Sequence, residues 1–149
     1  MKVTNRRFQR NYELLEKYEV GISLIGAEVK SVRAGHIRLE DSFVKIIGSE
    51  VYLVNADIPV YQYARPQGYD GKRTRKLLLH KKEILRLKSK LTGGAKLTIA
   101  PVSCYNKGVN FKVEIALVKS RGEIGKKKLE KKRDVEREEK RMVKEYMKQ

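Results

Sequence analysis

Cysteine is nearly missing from this chain. Cys104 stands alone, so no disulfide can form within the chain, which fits a reducing cytoplasm. Its neighbours are apolar and aromatic, and it reads as a buried, inert thiol. Long apolar runs are missing too. None approaches the roughly 20 residues that cross a bilayer, and "MKVTNRRFQRNYE" has no apolar stretch after its basic residues. We therefore expect neither a membrane segment nor a secretory signal. Catalytic groupings are equally scarce. The two histidines, His36 and His80, fall in unrelated segments with no Cys or His at ligand spacing, which argues against zinc or another bound metal. "LTGGAKLT" lacks the spacing of a phosphate loop, and no nucleophile sits in a recognisable elbow. Adjacent acids such as Glu40-Asp41 and Glu138-Glu139 read as solvated surface. The expectation is a protein that is not an enzyme and needs no cofactor.

Acid is the last shortage. Eighteen Asp and Glu face 35 Lys and Arg, a formal net charge of +17. Folding does not require such an excess, and its self-repulsion opposes compactness. A polyanionic partner explains it: nucleic acid first, an anionic membrane second. Against that background the stretch "GAEVKSVRAG" at 26–35 raises a question, because Glu28 is an acid with no basic residue four positions on.

Of the 149 residues, those up to Lys119 carry the apolar pattern of one domain. "YELLEKY" is ambiguous and could open as a helical turn. From Tyr18 the alternation Tyr18, Val20, Ile22, Leu24 predicts a half-buried strand. Ile25, Val29 and Val32 then form one helical stripe, with Gly35 as its stop. "DSFVKII", "GSE" and "VYLVN" predict a hairpin, and "ADIPVYQY" continues extended. Residues 64–76 read as a polar, basic loop. Ile84, Leu87 and Leu91 predict a helix ended by Gly93-Gly94. "AKLTIAPVSCY", the turn "NKG" and "VNFKVEIALVK" predict a second hairpin, whose last strand alternates Val109, Phe111, Val113, Ile115 and Leu117. About six short strands with two or three helices suggest a mainly β domain with α elements, a closed barrel of the OB type, over residues 1–119. Residues 120–149 are a basic tail. From 126 onward it holds 11 Lys or Arg and 6 Asp or Glu, with almost no core-type residue before Met142. Such a segment is expected to be disordered alone and helical on a partner.

Several stretches together resemble the SmpB (SsrA-binding, or tmRNA-binding) family: "NRR" at 5–7, "YELLEKYEVGISLIGAEVKSVRAG" at 12–35, "DSFV" at 41–44, "YLVNADIPVY" at 52–61, "RTRKLLLHKKEI" at 73–84 and "FKVEIAL" at 111–117. The resemblance implies a binder of the tRNA-like domain of tmRNA. Such a protein delivers alanyl-tmRNA to ribosomes stalled without a usable codon, so that incomplete products are tagged for degradation. It implies an OB-type barrel with helices and a basic tail, and as partners tmRNA and the ribosome, at the small-subunit decoding region and mRNA channel. A monomer is a further expectation. The alternative is a general RNA-binding or ribosome-associated OB module.

By the residues alone, Glu28 is either an acid favoured in a helix's first turn or an acceptor for RNA amines and hydroxyls. The resemblance implies the second. It also implies RNA contacts from Asn5, Arg6 and Arg7, from Lys30 and Arg33, and from the strip Lys72, Arg73, Arg75 and Lys76; His80, at the start of the expected helix, reads as a cap or surface residue or as a further RNA contact. Asp70-Gly71 departs from the family's Asp-Pro, which suggests a less rigid loop. In the tail, the resemblance implies ribosome contacts from Gly125, Lys126, Lys127, Lys128, Lys131, Lys132 and Arg133. Here the inserted "SRGEI" displaces the family's motif relative to the last strand.

Overall fold

The computed structural model describes residues 1–61, 68–93 and 96–148; for 123–126, 128, 143 and 145–148 the description is of backbone alone. Residues 64–67 of the expected loop, and Gly94 of the expected helix stop, lie outside it.

The elements run β1 (Lys2–Thr4), α1 (Phe8–Asn11), β2 (Tyr12–Ile22), α2 (Gly26–Arg33), β3 (Phe43–Ile47), β4 (Glu50–Val54), β5 (Arg75–Leu78), α3 (Lys81–Leu91), β6 (Leu97–Lys107), β7 (Asn110–Ser120) and α4 (Glu123–Lys148). All strand pairings are antiparallel, in the order β1-β6-β3-β4-β5-β2-β7, and β7 pairs back onto β6. Six strands thus close into a ring, and β1 is a seventh clipped to the outer edge of β6. Closure leaves the ring strands few unpaired backbone groups.

Alternation explains what faces inward. On β7, Phe111, Val113, Ile115 and Leu117 are buried, and across the ring they meet Val20, Ile22, Val44, Val51, Leu53, Leu77 and Ile99 in one core. Ile84 and Leu87 bring α3 into the same core, with Leu91 partly buried against it. A smaller cluster of Phe8, Ala100, Ala116 and Val118 lies under α1. Cys104 is fully buried, and desolvation pushes its thiol up to about 12, so it stays protonated.

Four expectations change. "YELLEKY" is strand, not helix: β2 runs unbroken from Tyr12 along β7, absorbing an irregularity between Leu14 and Glu16. Arg75 and Lys76 belong to β5 rather than to a loop. "ADIPVYQY" forms no strand over its described residues beyond the single bridge Arg38↔Asp57. Val109 is 87% exposed, because the two-residue turn Gly108-Val109 joins β6 to β7 and the inward series begins at Phe111. Gly108 has φ 64°, and Gly48 in the matching β3–β4 turn has φ 63°, values that suit a residue without Cβ.

Candidate nucleic-acid interface

The site begins at the start of α2. Ile25 is the extended N-cap residue, so its N–H has no partner within the helix. Glu28, three residues on, returns its carboxylate: Oε1 accepts from Ile25 N at 3.0 Å. Oε1 also accepts from Arg73 Nη2 at 2.7 Å, and Oε2 accepts from Arg75 Nε at 2.7 Å, with Arg75 Nη2 at 2.5 Å. Both Glu28 and Arg75 are fully buried. Burial alone would raise the Glu28 carboxyl, but hydrogen bonds from Arg73, the Ile25 amide and Arg75 outweigh it and hold the group below its ordinary value.

Glu28 is therefore not the unpartnered acceptor that the sequence suggests. Its cations arrive from β5 and the segment before it, and its oxygens face inward. The buried side of α2 is Glu28, Ser31 and Val32, whereas Ile25 of the expected apolar stripe is 46% exposed. Arg75 is likewise removed from the phosphate strip. Its Nη1 donates to the Ala56 carbonyl at 2.6 Å and its Nη2 to the Gly71 carbonyl at 2.9 Å. A charge so enclosed cannot touch a solvent-side ligand. Asn5 is also used internally. Its Nδ2 donates to the Pro101 carbonyl at 2.9 Å, its backbone N–H donates to the Val102 carbonyl at 2.8 Å, and its Oδ1 accepts from Arg7 N at 3.1 Å. It braces the β6 irregularity between Pro101 and Ser103.

The segment at Gly71 is well tied. Its carbonyl accepts from both Ile58 N and Arg75, and a Cβ there would lie 3.0 Å from Asp57 Oδ1 and 3.2 Å from the Ile58 carbonyl oxygen. The Tyr69 hydroxyl donates to that same Ile58 oxygen at 2.6 Å. The described part of the loop is therefore braced, against the expectation from the missing proline.

The remaining candidates face solvent. Arg73 keeps 37% of its side chain exposed. Lys72 and His80 are exposed, and His80 is the N-cap of α3, where its backbone N–H donates to Glu83 Oε1 at 3.1 Å. Lys76 points outward from β5 and pairs with Glu50 at 3.3 Å. Lys30 lies 5.6 Å above the Tyr61 ring and Arg33 5.9 Å above the Phe111 ring. Arg6 and Arg7 line an open groove with Lys2, Arg38, Glu40 and Asp41, where Arg7 pairs with Asp41 at 3.1 Å. Lys2 and Arg38 in that groove escape sequence reasoning, since neither belongs to a recognised motif.

Most of the tail, Glu123–Lys148, forms one 26-residue helix, α4. Arg10 Nε meets Glu130 Oε1 at 2.6 Å, and Arg133 donates to the Gln9 side chain, so α4 touches α1. Lys127, Lys131 and Lys132 are exposed; Gly125 lies in the helix, and the side chains of Lys126 and Lys128 are outside the description. Among the described residues no group of three or more His, Cys, Asp or Glu could hold a metal, and no helix is long and apolar enough to cross a membrane.

A small closed sheet carrying an outward shell of lysine and arginine defines a nucleic-acid-binding class of protein. Comparison with known proteins narrows that class. The model of the family described as SmpB protein matches residues 2–145. The SsrA-binding protein of Deinococcus radiodurans is 46% identical over 135 residues, covering 91% of this chain and 94% of the relative. That of Pseudothermotoga lettingae is 44% identical over 147 residues, covering 97% and 95%. A solved chain described under "tmRNA-SmpB: a journey to the center of the bacterial ribosome" superposes with a TM-score of 0.67 at 40% identity, covering 82% of this chain and 85% of that one. The chain belongs to the SmpB family.

Proposed function

We propose that this protein binds the tRNA-like domain of tmRNA and delivers alanyl-tmRNA to stalled ribosomes, where translation switches to the tmRNA frame and the incomplete product is tagged for degradation. The observation that carries the reading is the family match across residues 2–145, which takes in the ring and most of the tail. Its partners are tmRNA and the small-subunit decoding region and mRNA channel. It works in the cytoplasm as a binder rather than a catalyst. The six-stranded ring is read as an OB-type barrel, residues 1–119 as the tmRNA-binding body, and 120–149 as the segment that engages the ribosome. Among the side chains, Arg6, Arg7, Lys30, Arg33, Lys72, Arg73, Lys76 and His80 reach solvent and suit phosphate or base contact. Glu28, Arg75 and Asn5 act from behind them.

The test is a pull-down of cellular RNA with the full chain. Enrichment of tmRNA over bulk tRNA is expected; equal capture of both would leave only general RNA binding.

A further inference from the structure

The Glu28 cluster holds one carboxylate between two guanidiniums, so it carries a surplus positive charge. Arg75 cannot express that surplus, because it is fully buried and spends its donors on Glu28, Ala56 and Gly71. Arg73 can. Its Nη2 is fixed on Glu28 at 2.7 Å, while its Nε is buried with no hydrogen-bond partner among the described residues. Its Nη1 makes a long 3.5 Å contact with the Thr74 carbonyl, and 37% of the side chain remains open to solvent. Nη2 is clamped and Nε enclosed, which leaves Nη1 as the nitrogen that can meet a ligand.

We propose that Glu28 is a positioning residue for RNA binding: anchored by Arg75 and the first turn of α2, it holds Arg73 so that the Nη1 end of its guanidinium meets a phosphodiester of the bound RNA. The inference rests on the tmRNA reading above and names which cation of the strip is built for contact. A free arginine must give up its side-chain freedom when it binds, whereas Arg73 is ordered when the protein folds. The clamp also sets the plane of the guanidinium, which fixes the direction in which Nη1 donates to a phosphate oxygen. An acid on an RNA-binding protein then makes sense without touching RNA.

Charge alone and positioning predict opposite signs. Glu28→Gln removes an acid, so a purely electrostatic account expects tighter binding to RNA. Positioning expects weaker binding. Because Glu28→Gln strands the buried Arg75, the cleaner variant is Glu28→Gln with Arg75→Met, which removes both buried charges and leaves the net charge of +17 unchanged. Affinities of the full chain for the transcribed tRNA-like domain of tmRNA, and for bulk tRNA, are measured by filter binding over a salt series.

Arg73→Ala should weaken binding by about tenfold or more and lower the salt slope by about one. The paired variant should lose a similar factor although Arg73 is still present, and adding Arg73→Ala to it should change little. Wild-type affinity in the paired variant, or an equal cost of Arg73→Ala in both backgrounds, overturns the proposal. Should the paired variant not fold, Arg73→Lys decides. It keeps the charge but not the fork, and full affinity in that variant, or in Arg73→Ala, would show that no held geometry is needed. Absence of a tmRNA preference in the wild type would remove the functional reading. The same series on bulk tRNA would still decide the positioning, since phosphate contacts do not depend on sequence.

Discussion

Arg75 and Lys76 are neighbours with opposite fates, because successive strand residues point to opposite faces. Arg75 shares the inward parity of Leu77, and that parity is legible once β5 is recognised as a strand. The run "RTRK" hid it, since a string of cations reads as loop. The Glu28 cluster was less legible, because its partners lie 45 and 47 residues away, beyond any local spacing rule. Arg75→Ala leaves the fully buried Glu28 without its buried cation and should destabilise the fold by about 3–5 kcal/mol. Lys76→Ala, from a half-exposed pair, should cost less than about 1 kcal/mol. Urea unfolding of both variants checks the contrast. The pH dependence follows from Glu28 being held below its ordinary 4.5. An acid with a depressed folded value stabilises fully above its unfolded value and loses that contribution as pH falls through the folded one. The urea midpoint should therefore decline below about pH 4.5, and the Glu28→Gln/Arg75→Met pair should decline less steeply.

Among the elements, α3 and β7 were the easiest to read. Each has a clear apolar period, and most residues that the period selects are buried: Ile84 and Leu87 on α3, with Leu91 partly so, and Phe111, Val113, Ile115 and Leu117 on β7. Val109 failed because a two-residue turn ended the period one step later than "NKG" implied. β1 was invisible, since three residues of mixed character become a strand only when β6 offers an edge. α4 is the instructive case for polar segments. Its described side chains are mostly exposed, so its helix rests on local pairs such as Arg141–Glu138 and on the contact of Arg10 with Glu130. A chain ending at Ile124 should lose helical circular-dichroism signal yet keep its unfolding free energy in urea within about 0.5 kcal/mol, because among the described residues the core contains nothing from the tail. The same truncated chain should bind tmRNA and fail to tag products of transcripts that lack a stop codon. Full tagging would reassign the tail.

At the level of the whole molecule, strand count and helix periods pointed to a closed sheet, but not to the strand order. That order depends on which distant edges meet, and hydrophobic alternation is the same whichever neighbour a strand has. The family stretches supplied a fold by likeness, and the pairing of β2 with both β5 and β7 supplies its physical cause. Leu87→Ala should test how far α3 belongs to that single unit. A loss of about 2–5 kcal/mol in one cooperative transition is expected, and two separate transitions would mean that α3 melts apart from the ring.

The ring also has a history in time. β2 is made early and β7 last of the strands, yet they are each other's partners from Tyr12↔Ser120 to Gly21↔Lys112. Until residue 120 is available, β2 and β6 each show an open edge, and β2 waits on a partner about a hundred residues away. Folding should therefore be slow for so small a protein, and the growing chain exposed to edge pairing with other chains. A fragment ending at Lys107 should remain unfolded or associate. The full chain should acquire amide protection in β2, β6 and β7 in one late step, with the last hairpin acting as the latch.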